Sequence, residues 1–139
     1  MPQPSFLLAS CLVALGGAIG SWLRFGVGYG WTVLLGPTRA LAFPYGTLTV
    51  NVVGSLAMGL LIGWLGRVMP SGTVGGENLR LLLGVGVLGG FTTFSSFSLD
   101  TVALAQRGHP GLAVFYVAIS LAAGLCALFL GLTLMRSAA

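Results

Sequence analysis

The chain has very little charge. Of its 139 residues only 6% are charged: six arginines, two acids (Glu77 and Asp100) and no lysine. An ordinary soluble domain is about a quarter charged, so this composition excludes one. With so few acids and one histidine, His109 in a loop beside Pro110, no His, Cys, Asp or Glu cluster suits a catalytic or transition-metal site, and no enzyme is expected. Cysteine is nearly missing too. Cys11 and Cys126 fall inside apolar stretches, where a thiol acts as a small hydrophobe, and they have no zinc or redox spacing. The residues 1–5 lack the positive segment of a secretory signal, so the apolar run behind them is expected to be retained as a helix. No repeat of 20 to 50 residues and no low-complexity tail is evident.

What is present is apolar. Hydrophobic residues make up 56% of the chain, and the mean hydropathy is +1.02. Crossing a hydrocarbon core of roughly 30 Å takes about 20 apolar helical residues. Four such stretches lie near residues 5–25, 44–66, 79–106 and 110–135. The expected fold is therefore an all-α integral membrane protein, a single four-helix domain over residues 1–139. Gly36-Pro37, Pro44, Pro70-Ser71-Gly72, Gly75-Gly76 and Gly108-His109-Pro110 punctuate the connections. Pro110 suits the first turn of a helix.

The net charge of +4 comes from single, scattered arginines and does not form a nucleic-acid surface. Counted through four spans, Arg24, Arg39 and Arg107 lie toward one membrane face, and Arg67, Arg80 and Arg136 toward the other. Orientation is set by Lys and Arg bias near helix ends, and here the bias is nil. Such a chain can insert either way up, and four short helices seldom enclose a pore alone. An antiparallel homodimer satisfies both observations.

Glycine numbers 23, with Gly16 and Gly20, Gly59 and Gly63, and Gly86 and Gly90 each four apart, a spacing that lets membrane helices approach closely. No strand precedes these runs and no Gly-Lys-Ser/Thr follows, so they are not phosphate loops.

The third span is interrupted. Residues 88–98, Leu-Gly-Gly-Phe-Thr-Thr-Phe-Ser-Ser-Phe-Ser, put turn and hydroxyl residues in the middle of an apolar segment. Lipid cannot satisfy the backbone groups that a break frees, so it survives only when buried in protein or lining a polar path, and broken helices often carry ion sites. Thr47, Asn51 and Ser55 share one face of the second span, and Tyr116, Ser120 and Gly124 one face of the fourth. Each admits two readings. Asn51 is interhelical glue or an ion donor; Ser120 bonds back to its own helix or faces a path. Phe94 and Phe97 are a core pair, or they turn positive ring edges toward an anion. Asp100, an intramembrane carboxylate, is a functional group or the ion-pair partner of Arg24. Glu77 lies beside Arg80 in a loop.

Three segments, Gly-Gly-Ala-Ile-Gly-Ser-Trp-Leu-Arg at 16–24, Gly-Thr-Leu-Thr-Val-Asn-Val-Val-Gly-Ser at 46–55 and Gly-Gly-Phe-Thr-Thr-Phe-Ser-Ser-Phe-Ser at 89–98, together resemble the CrcB/Fluc fluoride channel family over nearly the whole chain. The resemblance implies a dual-topology antiparallel homodimer with two fluoride pores, a central sodium ion and passive fluoride export across the bacterial inner membrane. It places pore residues at Asn51, Phe94 and Phe97, with Thr47, Tyr116 and Ser120 beside the pore. It assigns sodium to backbone carbonyls of Gly89 and Thr92 from both subunits, and it sets Gly124 where some members carry a serine. Fluoride, the lipid bilayer and a second copy are the implied partners. The competing reading is a small dual-topology proton-coupled multidrug transporter; such proteins carry a carboxylate in the first helix, and here no acid precedes Glu77.

Overall fold

A computed structural model describes residues 4–69 and 73–137, the last by its backbone alone. The Pro70-Ser71-Gly72 connection and residues 1–3 lie outside the described residues. Seven α-helical segments follow in order: α1 (Phe6–Leu35), α2 (Pro37–Ala42), α3 (Tyr45–Val68), α4 (Val74–Leu79), α5 (Gly89–Phe91), α6 (Phe94–Gln106) and α7 (Pro110–Ser137). A π-helical segment, Arg80–Leu88, joins α4 to α5. Helices α1, α3 and α7, and the composite span Val74–Gln106, are each long and apolar enough to cross a membrane. The protein is a four-span, all-α membrane protein with its third span broken.

The helices pair as α3 with α7, and α1 with the third span. Glycine makes both contacts possible. A Cβ on Gly16 would stand 2.9 Å from the Gly86 Cα, and one on Gly131 would stand 2.7 Å from the Leu60 amide nitrogen. Helix backbones therefore touch directly, as the four-residue glycine spacing predicts. Gly90 belongs to the same contact, because a Cβ there would stand 2.6 Å from the Gly17 carbonyl.

Several boundaries differ from the sequence reading. The third span begins at Val74 and not at residue 79, so Gly75, Gly76 and Glu77 lie in helix α4 and not in a loop. Helix α1 continues ten residues past residue 25, through Gly26, Gly28 and Gly30, and stops only at Gly36, where φ of 77° ends the helix. Apolar residues from Trp31 to Leu35 carry it on, and isolated glycines weaken a helix without breaking it. Arg24 consequently lies about three turns inside α1 rather than at its end. Without it, Arg39 and Arg107 face Arg67, Arg80 and Arg136, still a near balance. The connection at 36–44 also holds a short helix, α2, started by Pro37.

The break sits later than its glycines suggest. Gly89 is fully helical at φ −64°, ψ −38°, and the chain becomes extended only at Thr92 and Thr93. The glycines at 89 and 90 serve helix approach; the threonines make the interruption. Thr93 then caps α6, its hydroxyl accepting from the Ser96 amide at 3.2 Å.

Candidate functional site

Two cavities flank the break. The first, about 410 Å³, lies between α3, α7 and the Thr92–Thr93 interruption; its walls include Asn51, Ser55, Thr93, Phe94, Phe97 and Ser120. The second, about 490 Å³, is a vestibule between α1, the start of α3 and α6, lined by Ser21, Arg24, Thr47, Thr93, Ser96 and Asp100 among others. Thr93 lines both. Open space therefore approaches the break from two sides in the middle of a membrane-length span, with polar walls in the vestibule and largely apolar walls with a few polar groups in the first cavity.

Asn51 holds Thr93 in place. Its Nδ2 donates to the Thr93 carbonyl at 3.0 Å, and its Oδ1 accepts from the Thr93 amide at 2.8 Å. The side-chain oxygen thus stands in for the missing helix acceptor of the Thr93 amide, and the side-chain nitrogen adds a bond to the carbonyl that opens α6. That bond uses one of the two Nδ2 hydrogens. The interhelical reading of Asn51 is seen directly, as a brace across the break, and the side chain also lines the first cavity.

The same interruption frees carbonyls. In a continuous helix the Thr93 amide would bond to the Gly89 carbonyl and the Ser96 amide to the Thr92 carbonyl. Those amides go instead to Asn51 and to the Thr93 hydroxyl. The Thr92 carbonyl is approached by Arg24, whose Nη1 lies 3.5 Å away. Gly89 is exposed on the surface of the chain.

Phe94 and Phe97 have unequal surroundings. Their ring centroids are 5.8 Å apart and tilted by 41°. Phe97 also packs on Tyr116 at 5.3 Å, whereas Phe94 is 78% exposed at the open rim of the first cavity. A core pair would bury both, so the core reading holds for Phe97 alone.

Tyr116 and Ser120 are buried, and neither hydroxyl makes a hydrogen bond within the described residues. The Tyr116 hydroxyl lies close to Thr47, Ser120 and Asp100 without meeting any of them in hydrogen-bonding geometry. Buried hydroxyls left unpaired cost free energy unless water or an ion meets them.

The ion pair expected between Asp100 and Arg24 is not formed. Asp100 accepts a 2.7 Å hydrogen bond from the Thr47 hydroxyl, and Arg24 turns to the Thr92 carbonyl, although both line the vestibule. Arg24 sits about three turns short of the end of α1, level with the break, where its guanidinium reaches the Thr92 carbonyl. Among the described residues the one ion pair is Arg80 with Glu77, at 2.7 Å and partly exposed.

Sequence reasoning left Thr93 out of the site, although it is the residue both cavities share. Its signal was visible: a hydroxyl residue three before Ser96, at the head of an apolar segment, is a helix cap.

With this geometry in view, relatives become informative. The family model described as "CrcB-like protein, Camphor Resistance (CrcB)" matches residues 11–132. The chain belongs to the CrcB family. Within the family, it is 57% identical over 133 residues to a Novosphingobium aromaticivorans protein named "Fluoride-specific ion channel FluC", covering 96% of this chain and all of that one. It is 50% identical to proteins of the same name from Caulobacter vibrioides, over 90% of this chain and 93% of the relative, and from Agrobacterium fabrum, over 91% and 94%. Like these bacterial CrcB relatives in length, the chain is a multi-pass protein of the bacterial inner membrane.

Proposed function

We propose that the protein is a fluoride channel through which the ion leaves the cell passively. The observation that carries this reading is the pair of cavities that meet at Thr93, the residue Asn51 braces, inside an otherwise apolar span. The bacterial relatives named as fluoride-specific channels support it. Fluoride is small, strongly hydrated and an avid hydrogen-bond acceptor. Taking even a carboxylate-sized ion into a dry interior costs on the order of 20 kcal/mol in the idealised limit. Amide, hydroxyl and ring-edge donors must replace its water, and Asn51, Ser120, Tyr116, Phe94 and Phe97 offer all three kinds. Neutral donors also let the ion go, which conduction requires.

The vestibule supplies the entrance, with Arg24 as an attracting charge and Thr47 holding the Asp100 carboxylate by a hydrogen bond. From there the ion passes the Asn51 amide and runs along Phe97 and Phe94.

Two copies are needed in this reading. The exposed Phe94 rim and the exposed Gly89 are surfaces a second chain would cover, and the near balance of arginines favours an antiparallel pair in the bilayer. Sodium fits the freed carbonyls of Gly89 and Thr92: backbone oxygens are a hard donor set suited to such an ion, and two chains would bring four of them. When bound, the ion supplies positive potential that does not titrate. The Arg24 Nη1 donating to the Thr92 carbonyl at 3.5 Å supports this reading, because that oxygen already accepts from a positively charged group.

Purified protein in liposomes tests the function. Fluoride should leave down its own gradient, with chloride far slower. Chloride release as fast as fluoride, or release that requires a proton gradient, overturns the reading, and the latter would favour the coupled transporter.

A further inference from the structure

We propose that Ser55 is a direct hydroxyl donor to the permeating ion, at the level where α7 presents only Gly124. The inference rests on the fluoride-channel reading above. Helices α3 and α7 face each other along their polar stripes. Thr47 lies near Tyr116. Two turns further along α3 and α7, Ser55 faces Gly124, its Oγ lying 3.6 Å from where a Cβ on residue 124 would stand. Ser55, Gly124, Asn51 and Ser120 line the same cavity of about 410 Å³.

Ser55, like Ser120 across the same cavity, keeps its hydroxyl out of its own helix. Serine and threonine inside helices ordinarily bond back to the carbonyl four residues earlier. Thr92 does so to Leu88, Ser98 to Phe94 and Thr101 to Phe97. Ser55 does not: among the described residues its hydroxyl has no hydrogen-bond partner. Its proton is available to whatever occupies the cavity. Beyond it the walls turn apolar, with Met58, Leu125 and Leu128. An ion moving that way from Asn51 and Ser120 therefore meets Ser55 as its last side-chain donor before the apolar stretch. Gly124 contributes no donor, but it leaves room for a small ion or a water against that hydroxyl.

Fluoride efflux from liposomes, with oligomeric state checked by size-exclusion chromatography, tests this by moving the hydroxyl from one helix to the other. Ser55→Ala should slow efflux roughly tenfold, the lower end of the effect of a hydrogen bond to a charged group. Ser55→Cys, close to serine in shape but a weaker donor, should fall between the two. In the Ser55→Ala background, Gly124→Ser should recover most of the rate and Gly124→Ala should not, because the 3.6 Å spacing accommodates either Cβ. Wild-type rates in Ser55→Ala overturn the proposal and leave the channel reading standing. Equal recovery by Gly124→Ala and Gly124→Ser also overturns it, since packing and not a donor would then explain the loss. A wild-type protein that carries no fluoride would instead sink the channel reading itself.

Discussion

The Asn51 side chain and the Thr93 backbone form a closed pair of hydrogen bonds, 3.0 Å from Nδ2 to the Thr93 carbonyl and 2.8 Å from the Thr93 amide to Oδ1. The amide that faces the cavity is therefore also the brace that keeps the third span open at its break. From sequence alone, replacing Asn51 is expected to harm conduction far more than folding; the brace changes that expectation.

Asn51→Ala should lose on both counts. Interhelical hydrogen bonds in membranes average about 0.6 kcal/mol, so removing this pair should cost roughly 1 kcal/mol of stability, read as earlier thermal unfolding in detergent. Fluoride efflux should fall by about tenfold or more, equivalent to ~1.4 kcal/mol of barrier. Normal efflux from a destabilised but dimeric variant would leave Asn51 as a brace only.

Phe94→Ile and Phe97→Ile should separate conduction from packing. Phe94 is 78% exposed in the chain, whereas Phe97 packs on Tyr116 with ring centroids 5.3 Å apart and tilted by 43°. Both variants should conduct poorly if ring edges meet the ion. Aromatic pairs contribute about 0.5–1.5 kcal/mol beyond area burial, so Phe97→Ile should unfold earlier than Phe94→Ile by roughly that amount. Unimpaired efflux in both would return the rings to packing.

Thr47 and Asp100 should be energetically coupled through their 2.7 Å hydrogen bond. A hydrogen bond to a charged group is worth about 1.5–3 kcal/mol, so Thr47→Val should destabilise the protein on that scale. In the Asp100→Asn background the same change should cost much less. A double-mutant cycle on thermal stability measures the coupling, and additive losses would show that the contact contributes nothing.

Orientation should respond to added charge. Placing Lys or Arg in the 36–44 and 107–109 connections alone should bias insertion to one orientation and reduce activity when that variant is expressed by itself. Co-expression with an oppositely biased variant should restore it. Full activity from a single-orientation population would sink the antiparallel pair and the shared cation site with it.

Composition and hydropathy alone established four apolar helices, because crossing hydrocarbon leaves a helix few alternatives when it must satisfy its own backbone. The glycine spacing likewise foretold which helix surfaces touch, since Gly16 meets Gly86 by backbone contact that no larger residue permits. The three motifs pointed to the family, and they did so through residues that cluster at the break. Tertiary structure alone decided what those residues do to one another. Sequence periodicity places Asn51, Thr47 and Asp100 on helix faces, but which group a side chain meets depends on the rotation and depth of neighbouring helices. So it is that Asp100 meets Thr47 and not Arg24, that Asn51 closes on Thr93, and that the chain opens at the threonines and not at Gly89-Gly90. Each of those outcomes turns on a shift of a few ångströms between packed helices, a distance no single helix encodes.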